Sequence, residues 1–107
     1  MSCEADEVKP FYYKIYRRGR DVILAVCDAD IIGKKFEEGE KVLHAKPEFY
    51  EGERIGEEVL ELFEEATIIN LLGRKIVTLA VEKGWVEGNG VLEVKGVLHA
   101  QIIKMLF

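Results

Sequence analysis

From residue 11 to residue 16 aromatic and aliphatic side chains alternate with polar ones, the two-residue period of a half-buried strand. Arg18-Gly19-Arg20-Asp21 then reads as a hairpin turn into residues 22–27, which are apolar on both faces as in a central strand covered on two sides. Asp28-Ala29-Asp30 ends that run. After an irregular passage through Ile31-Ile32-Gly33-Lys34, a third strand is predicted over residues 41–45, followed by Pro47 and a turn around Tyr50-Glu51-Gly52. The period then changes. Val59, Leu62, Phe63 and Ala66 share one helical face and Glu57, Glu61, Glu64 and Glu65 the other, so residues 57–66 form an amphipathic helix whose early glutamates suit its N-terminal dipole.

Residues 67–70 read as a short extended link. A second helix is expected to open at Leu71 or Leu72, run to Lys83 and stop at Gly84. Leu72, Ile76, Val77, Leu79, Ala80 and Val81 cover more than half its circumference, which implies packing on two sides. Trp85 and Val86 anchor its exit. Gly88-Asn89-Gly90 is a turn before a strand over 91–94, and Lys95-Gly96 fits a tight hairpin into a last strand over 97–103. The order βββααββ, with helices segregated from strands, predicts an α+β domain: a mainly antiparallel sheet with two helices packed on it. Residues 1–9 are expected to be a flexible tail and residues 10–107 a single domain.

Composition narrows the class. With 49% hydrophobic and 33% charged residues, the chain has the balance of a soluble folded protein rather than a disordered one. Few Ser, Thr, Asn and Gln beside abundant Glu, Lys and Arg is a thermophile-like balance. The acidic N-terminus has no hydrophobic core to serve as a secretory or transit signal, and no apolar run approaches the ~20 residues that cross a bilayer. Cys3 and Cys27 have no pairing pattern, so reduced thiols and a cytoplasmic location are expected. A net charge of −5 argues against indiscriminate nucleic-acid binding, and neither DNA nor a membrane is expected as a partner, but residues 9–20 carry five basic residues and no acid, leaving room for a local basic surface.

Candidate chemistry sits where neutral polar groups interrupt apolar sequence. Asn70 and Gln101 do so, and a neutral polar group in such surroundings needs a hydrogen-bond partner, structural or ligand, or loses roughly 1–3 kcal/mol. Asn70-Leu71-Leu72-Gly73-Arg74, at the expected helix start, could bind an anion through backbone N–H groups and Arg74; alternatively Asn70 is an N-cap. Strand alternation puts His99 and Gln101 on one face, and a small-molecule site, with or without catalysis, would arise if Asn70, Gly73 and Arg74 met them. Tyr12, Lys14, Tyr16, Arg17, Arg18 and Arg20 combine aromatic and basic groups on the first hairpin, chemistry that stacks bases and takes phosphates of single-stranded RNA; the same aromatics suit a core. Cys27, Asp28, Asp30, His44 and His99 include metal-ligating types without ligand spacing, turn chemistry accounts for Asp28 and Asp30, and no metal or cofactor is expected. GxSxG, Walker and GxGxxG motifs are absent, which excludes those serine-hydrolase and nucleotide-enzyme types.

Several spaced segments together carry a resemblance: Cys27-Asp28; Ile32-Gly33-Lys34; Phe49-Tyr50-Glu51-Gly52-Glu53; Ala66-Thr67-Ile68-Ile69-Asn70-Leu71-Leu72-Gly73; and Gly96-Val97-Leu98-His99-Ala100-Gln101. From about Phe11 onward the chain resembles the archaeal "domain of unknown function 424" family. It departs from the family pattern at Leu98, where a Pro usually precedes the histidine. The resemblance implies no activity, cofactor or catalytic residue; it implies the company of archaeal translation components and hence an RNA-related role. The expected function is accordingly a small non-enzymatic binding module for RNA or a protein of the translation apparatus. A homodimer formed through the apolar C-terminal strand, residues 102–107, is a third, structural reading.

Overall fold

The structure, a computed structural model, describes residues 9–104. The alternating segment forms β1 (Phe11–Arg18), which turns at Gly19, φ +59°, into the antiparallel β2 (Asp21–Asp28). A hairpin of β3 (Lys35–Glu38) and β4 (Lys41–His44) follows, then a single helical turn α1 (Pro47–Tyr50) and a short strand β5 (Glu53–Ile55). Next come α2 (Val59–Phe63), β6 (Ile68–Leu72), α3 (Arg74–Glu82), β7 (Leu92–Val94) and β8 (Val97–Ile103). Six strands make one sheet in the order β5-β1-β2-β6-β8-β7, in which only β2 and β6 run parallel; β3 and β4 form a separate ribbon.

The sheet separates two cores. Leu24, Val26, Ile69, Leu71 and Ala100 point to one side and pack with Val59, Phe63, Ile76, Val77 and Ala80 of the helices. Trp85 meets Phe63 edge to face at 5.2 Å, so the α3 exit is anchored as its sequence implies. Ala25, Cys27, Leu72, Val94 and Val97 point to the other side, under Leu43, Ala45 and Tyr50 of the hairpin and α1. Lys95 and Gly96, φ +53° and +82°, make the expected tight turn between β7 and β8.

The α+β class with a mostly antiparallel sheet holds; the order βββααββ does not. Residues 67–70 are not a link: Ile68–Leu72 is a central strand, and it separates helices that were expected to be adjacent. The second helix starts at Arg74, not Leu71 or Leu72, because Gly73 has φ +128° and ψ 146°, outside helical space. Among the described residues the α-helices number three rather than two, and α2 is five residues, shorter than 57–66. β3 and β5 have no counterpart among the expected strands. The tail assigned to residues 1–9 lies, except for Lys9, outside the described residues, as do residues 105–107 of the apolar C-terminal segment.

Candidate functional site

Strand register lines up three rows of side chains on the hairpin side of the sheet. Tyr12, Cys27, Leu72, His99 and Leu92 form one row; Lys14, Ala25, Asn70 and Gln101 the next; Tyr16, Ile23, Ile68 and Ile103 the third. Cross-strand neighbours of this kind have Cβ atoms about 4.5–5.5 Å apart, so Asn70 and Gln101 are adjacent groups. The hairpin and α1 bury Ala25, Cys27 and Leu72, but cover stops there. Ile23, Ile68, Asn70 and His99 are half-buried, Gln101 is exposed and Ile103 is 61% exposed.

A groove of about 550 Å³ borders this open half-face, walled by Tyr16, His44, Lys46, Glu48, Phe49 and Tyr50. Tyr16 stacks on Phe49 at 5.3 Å and donates its hydroxyl to Phe49 O at 2.8 Å; Lys14 Nζ donates to Glu48 O at 2.9 Å. The groove wall is therefore pinned to β1. Gly52 permits this close approach, since a Cβ there would lie 2.2 Å from Tyr13 O. Tyr50 is buried and donates its hydroxyl to Asn70 Oδ1 at 2.5 Å.

The basic-aromatic hairpin residues thus divide. Tyr16 and Lys14 serve the groove wall, Tyr12 lies under the Arg54 guanidinium at 5.1 Å, and Arg17, Arg18 and Arg20 are exposed around the β1–β2 turn. Arg18 belongs to the open face, opposite Asp21 at its margin.

Of the residues expected to share a small-molecule site, Asn70, His99 and Gln101 stand together on the open face. Gly73 and Arg74 do not join them. Gly73 is buried at the end of β6, and Arg74 lies on the helix side, where it donates to Gly96 O at 3.0 Å and pairs with Glu93 at 3.5 Å. Nor is Asn70 a helix cap, being in mid-strand. The α3 cap comes from Asp28, 47 residues before Lys75: Lys75 N donates to its Oδ2 at 2.8 Å and Ile76 N to its Oδ1 at 3.0 Å. Asp28 is 3% exposed, and burial pushes its carboxyl up to about 6 against the lowering effect of those two bonds. A larger hollow of about 800 Å³ on the helix side is lined by Glu57, Glu58 and Glu82 against Arg74 and Lys75, whose charges are already matched by Glu93 and Asp30.

Burial lowers the His99 pKa, so the imidazole is neutral at pH 7 and offers one donor and one acceptor. Cys27 is fully buried, its thiol pushed far above its ordinary range, which makes it a structural group rather than a nucleophile. Among the described residues, no three His, Cys, Asp or Glu side chains gather to hold a metal, and no helix is long and apolar enough to cross a membrane. Sequence reasoning missed Phe49 and Tyr50 as site residues, although Phe49-Tyr50-Glu51-Gly52 carried a signal: two aromatics before a glycine that a close backbone approach requires.

No curated protein matches the chain. Among solved structures it is similar to the crystal structure of an uncharacterised conserved protein from Methanopyrus kandleri, with a TM-score of 0.71 and 26% identity over 91% of this chain and 95% of that one. Residues 16–105 match the family model "Protein of unknown function (DUF424)". With most of its length inside that match, and a fold shared with an archaeal protein, the chain belongs to the DUF424 family of proteins of unknown function.

Proposed function

We propose that the protein is a non-enzymatic cytoplasmic binding module that takes single-stranded RNA on the open half of its sheet. One observation carries this reading. In a chain with 20 acidic and 15 basic residues, the three rows across the sheet contain no carboxylate; they hold apolar side chains, two neutral amides, a neutral imidazole and Lys14. An aromatic groove with Lys46 and Glu48 borders them, and Arg18 and Arg20 flank one end beside Asp21. Bases present flat apolar faces and hydrogen-bonding edges, and phosphates need cations at the margin, so these groups are complementary to an unpaired strand rather than a duplex. The company of archaeal translation components implied by the family resemblance points the same way.

The test is a fluorescence-anisotropy titration against transfer RNA and ribosomal RNA fragments at two salt concentrations. Beside the wild type stand Ile103→Glu, which puts a carboxylate on an exposed position of the face, and the triple variant Arg17→Gln, Arg18→Gln, Arg20→Gln. Saturable binding that weakens with salt and falls in both variants supports the reading. Absence of binding at low salt, or binding indifferent to both variants, overturns it; retention on ribosomal particles without RNA binding would make the partner a protein.

A further inference from the structure

Three side chains on the open face leave hydrogen-bonding capacity unused. Among the described residues, neither the Gln101 amide nor either His99 ring nitrogen has a partner, and Asn70 uses only its oxygen, on Tyr50. Asn70 is the informative one. Its Oδ1 lies 2.5 Å from a hydroxyl on a buried ring, a separation that suits O–H···O and is too short for N–H···O, so the amide is held in one orientation with its two Nδ2 donors left over. Gln101, exposed and unheld, adapts to either sense of bond, and neutral His99 offers both senses. Only Asn70 has a fixed sense, and that sense is donor.

Resting on the RNA reading above, we propose that Asn70 selects bases with a carbonyl oxygen at C4 of a pyrimidine or C6 of a purine, uracil and guanine-type, over those with an amino group at that position, cytosine and adenine. A carbonyl accepts from Nδ2, whereas an amino group opposes donor to donor and leaves both desolvated. Stacking in the groove also depends on the base, but a preference of that origin survives in Asn70→Asp, whereas one made by the Nδ2 donors does not. Tyr50 is a positioning residue: buried in the groove wall, it acts by fixing the Asn70 amide.

Matched oligonucleotides separate the hydrogen bond from everything else. Uridine against cytidine decamers, and inosine against adenosine decamers, differ in oxo versus amino at the reading edge. Anisotropy titrations of the wild type are expected to favour the oxo member of each pair by about fivefold, the worth of one neutral hydrogen bond. Asn70→Asp keeps the acceptor for Tyr50 but removes the donors, and the preference should vanish or invert. Tyr50→Phe frees the amide to turn, and the preference of each pair should shrink. Saturable, salt-sensitive binding with both pairs equal in the wild type would overturn this inference and leave the RNA reading standing. If none of the four decamers binds, both fall. The wild-type comparison needs no variant to fold.

Discussion

Replacing Gly73 by alanine probes the joint that sets α3 on the sheet. At φ +128° and ψ 146° Gly73 occupies backbone space that L residues reach only at a cost of about 1–3 kcal/mol. The added methyl would lie 2.3 Å from Asp28 Cγ, 2.5 Å from Oδ2 and 2.7 Å from Cβ, so the carboxylate must leave its place. Leaving it breaks the bonds from Lys75 N and Ile76 N, a cap worth about 0.5–2 kcal/mol. Together the losses come to about 1.5–5 kcal/mol, or a fall in Tm of roughly 6 °C or more for a domain of this size. Urea denaturation followed by circular dichroism measures it. Gly84→Ala is the control: its φ is +82° but nothing lies within 4 Å of the new methyl, so about 1 kcal/mol of backbone strain is expected alone. In the double variant Asp28→Gly, Gly73→Ala the obstructing side chain is gone, and the losses should add to less than the sum of the single changes by at least about 1 kcal/mol. A Gly73→Ala protein as stable as Gly84→Ala would refute the coupling between strand end and helix start.

Three further outcomes are expected. The folded Asp28 carboxyl titrates at about 6 against 3.8 ordinarily, so the folded state binds more protons between these values and this group's stability contribution falls as pH rises through them. The change is on the order of 3 kcal/mol, and Asp28→Asn should flatten that slope in urea titrations from pH 4 to 7. Thr67→Val removes the hydroxyl that accepts from Val22 N at 2.9 Å and donates to Asp21 at 3.1 Å, at a cost of about 1–2 kcal/mol by the same assay; no loss would show the β2–β6 start to be held elsewhere. Lys95→Asn, at φ +53° in the β7–β8 turn, should raise stability by about 0.5 kcal/mol or more in thermal melts, because Asn tolerates left-handed backbone at lower cost.

Local pattern determined much of this fold. The first hairpin, the buried run before Asp28, the amphipathic stretch around Val59 and Phe63, and the turn at Lys95-Gly96 were legible because alternation, 3.6-residue spacing and glycine turns are properties of neighbours in sequence. So was the pairing of His99 with Gln101 on one face. Residues 68–72 were not, since a short apolar run suits a buried strand and a buried helix equally; what decides it is two partners, β2 and β8, brought from distant sequence. Asp28 looked like turn chemistry because its role is to cap a helix that begins 46 residues later, at Arg74. Likewise the neutral polar groups marked the open face, but only the tertiary structure separated Asn70 from Arg74 by the thickness of a sheet and gave it Tyr50 for a partner. Side-chain type declares what a residue can bond; which bonds remain free for a ligand depends on contacts between segments remote in sequence, and these exist only once the chain has folded.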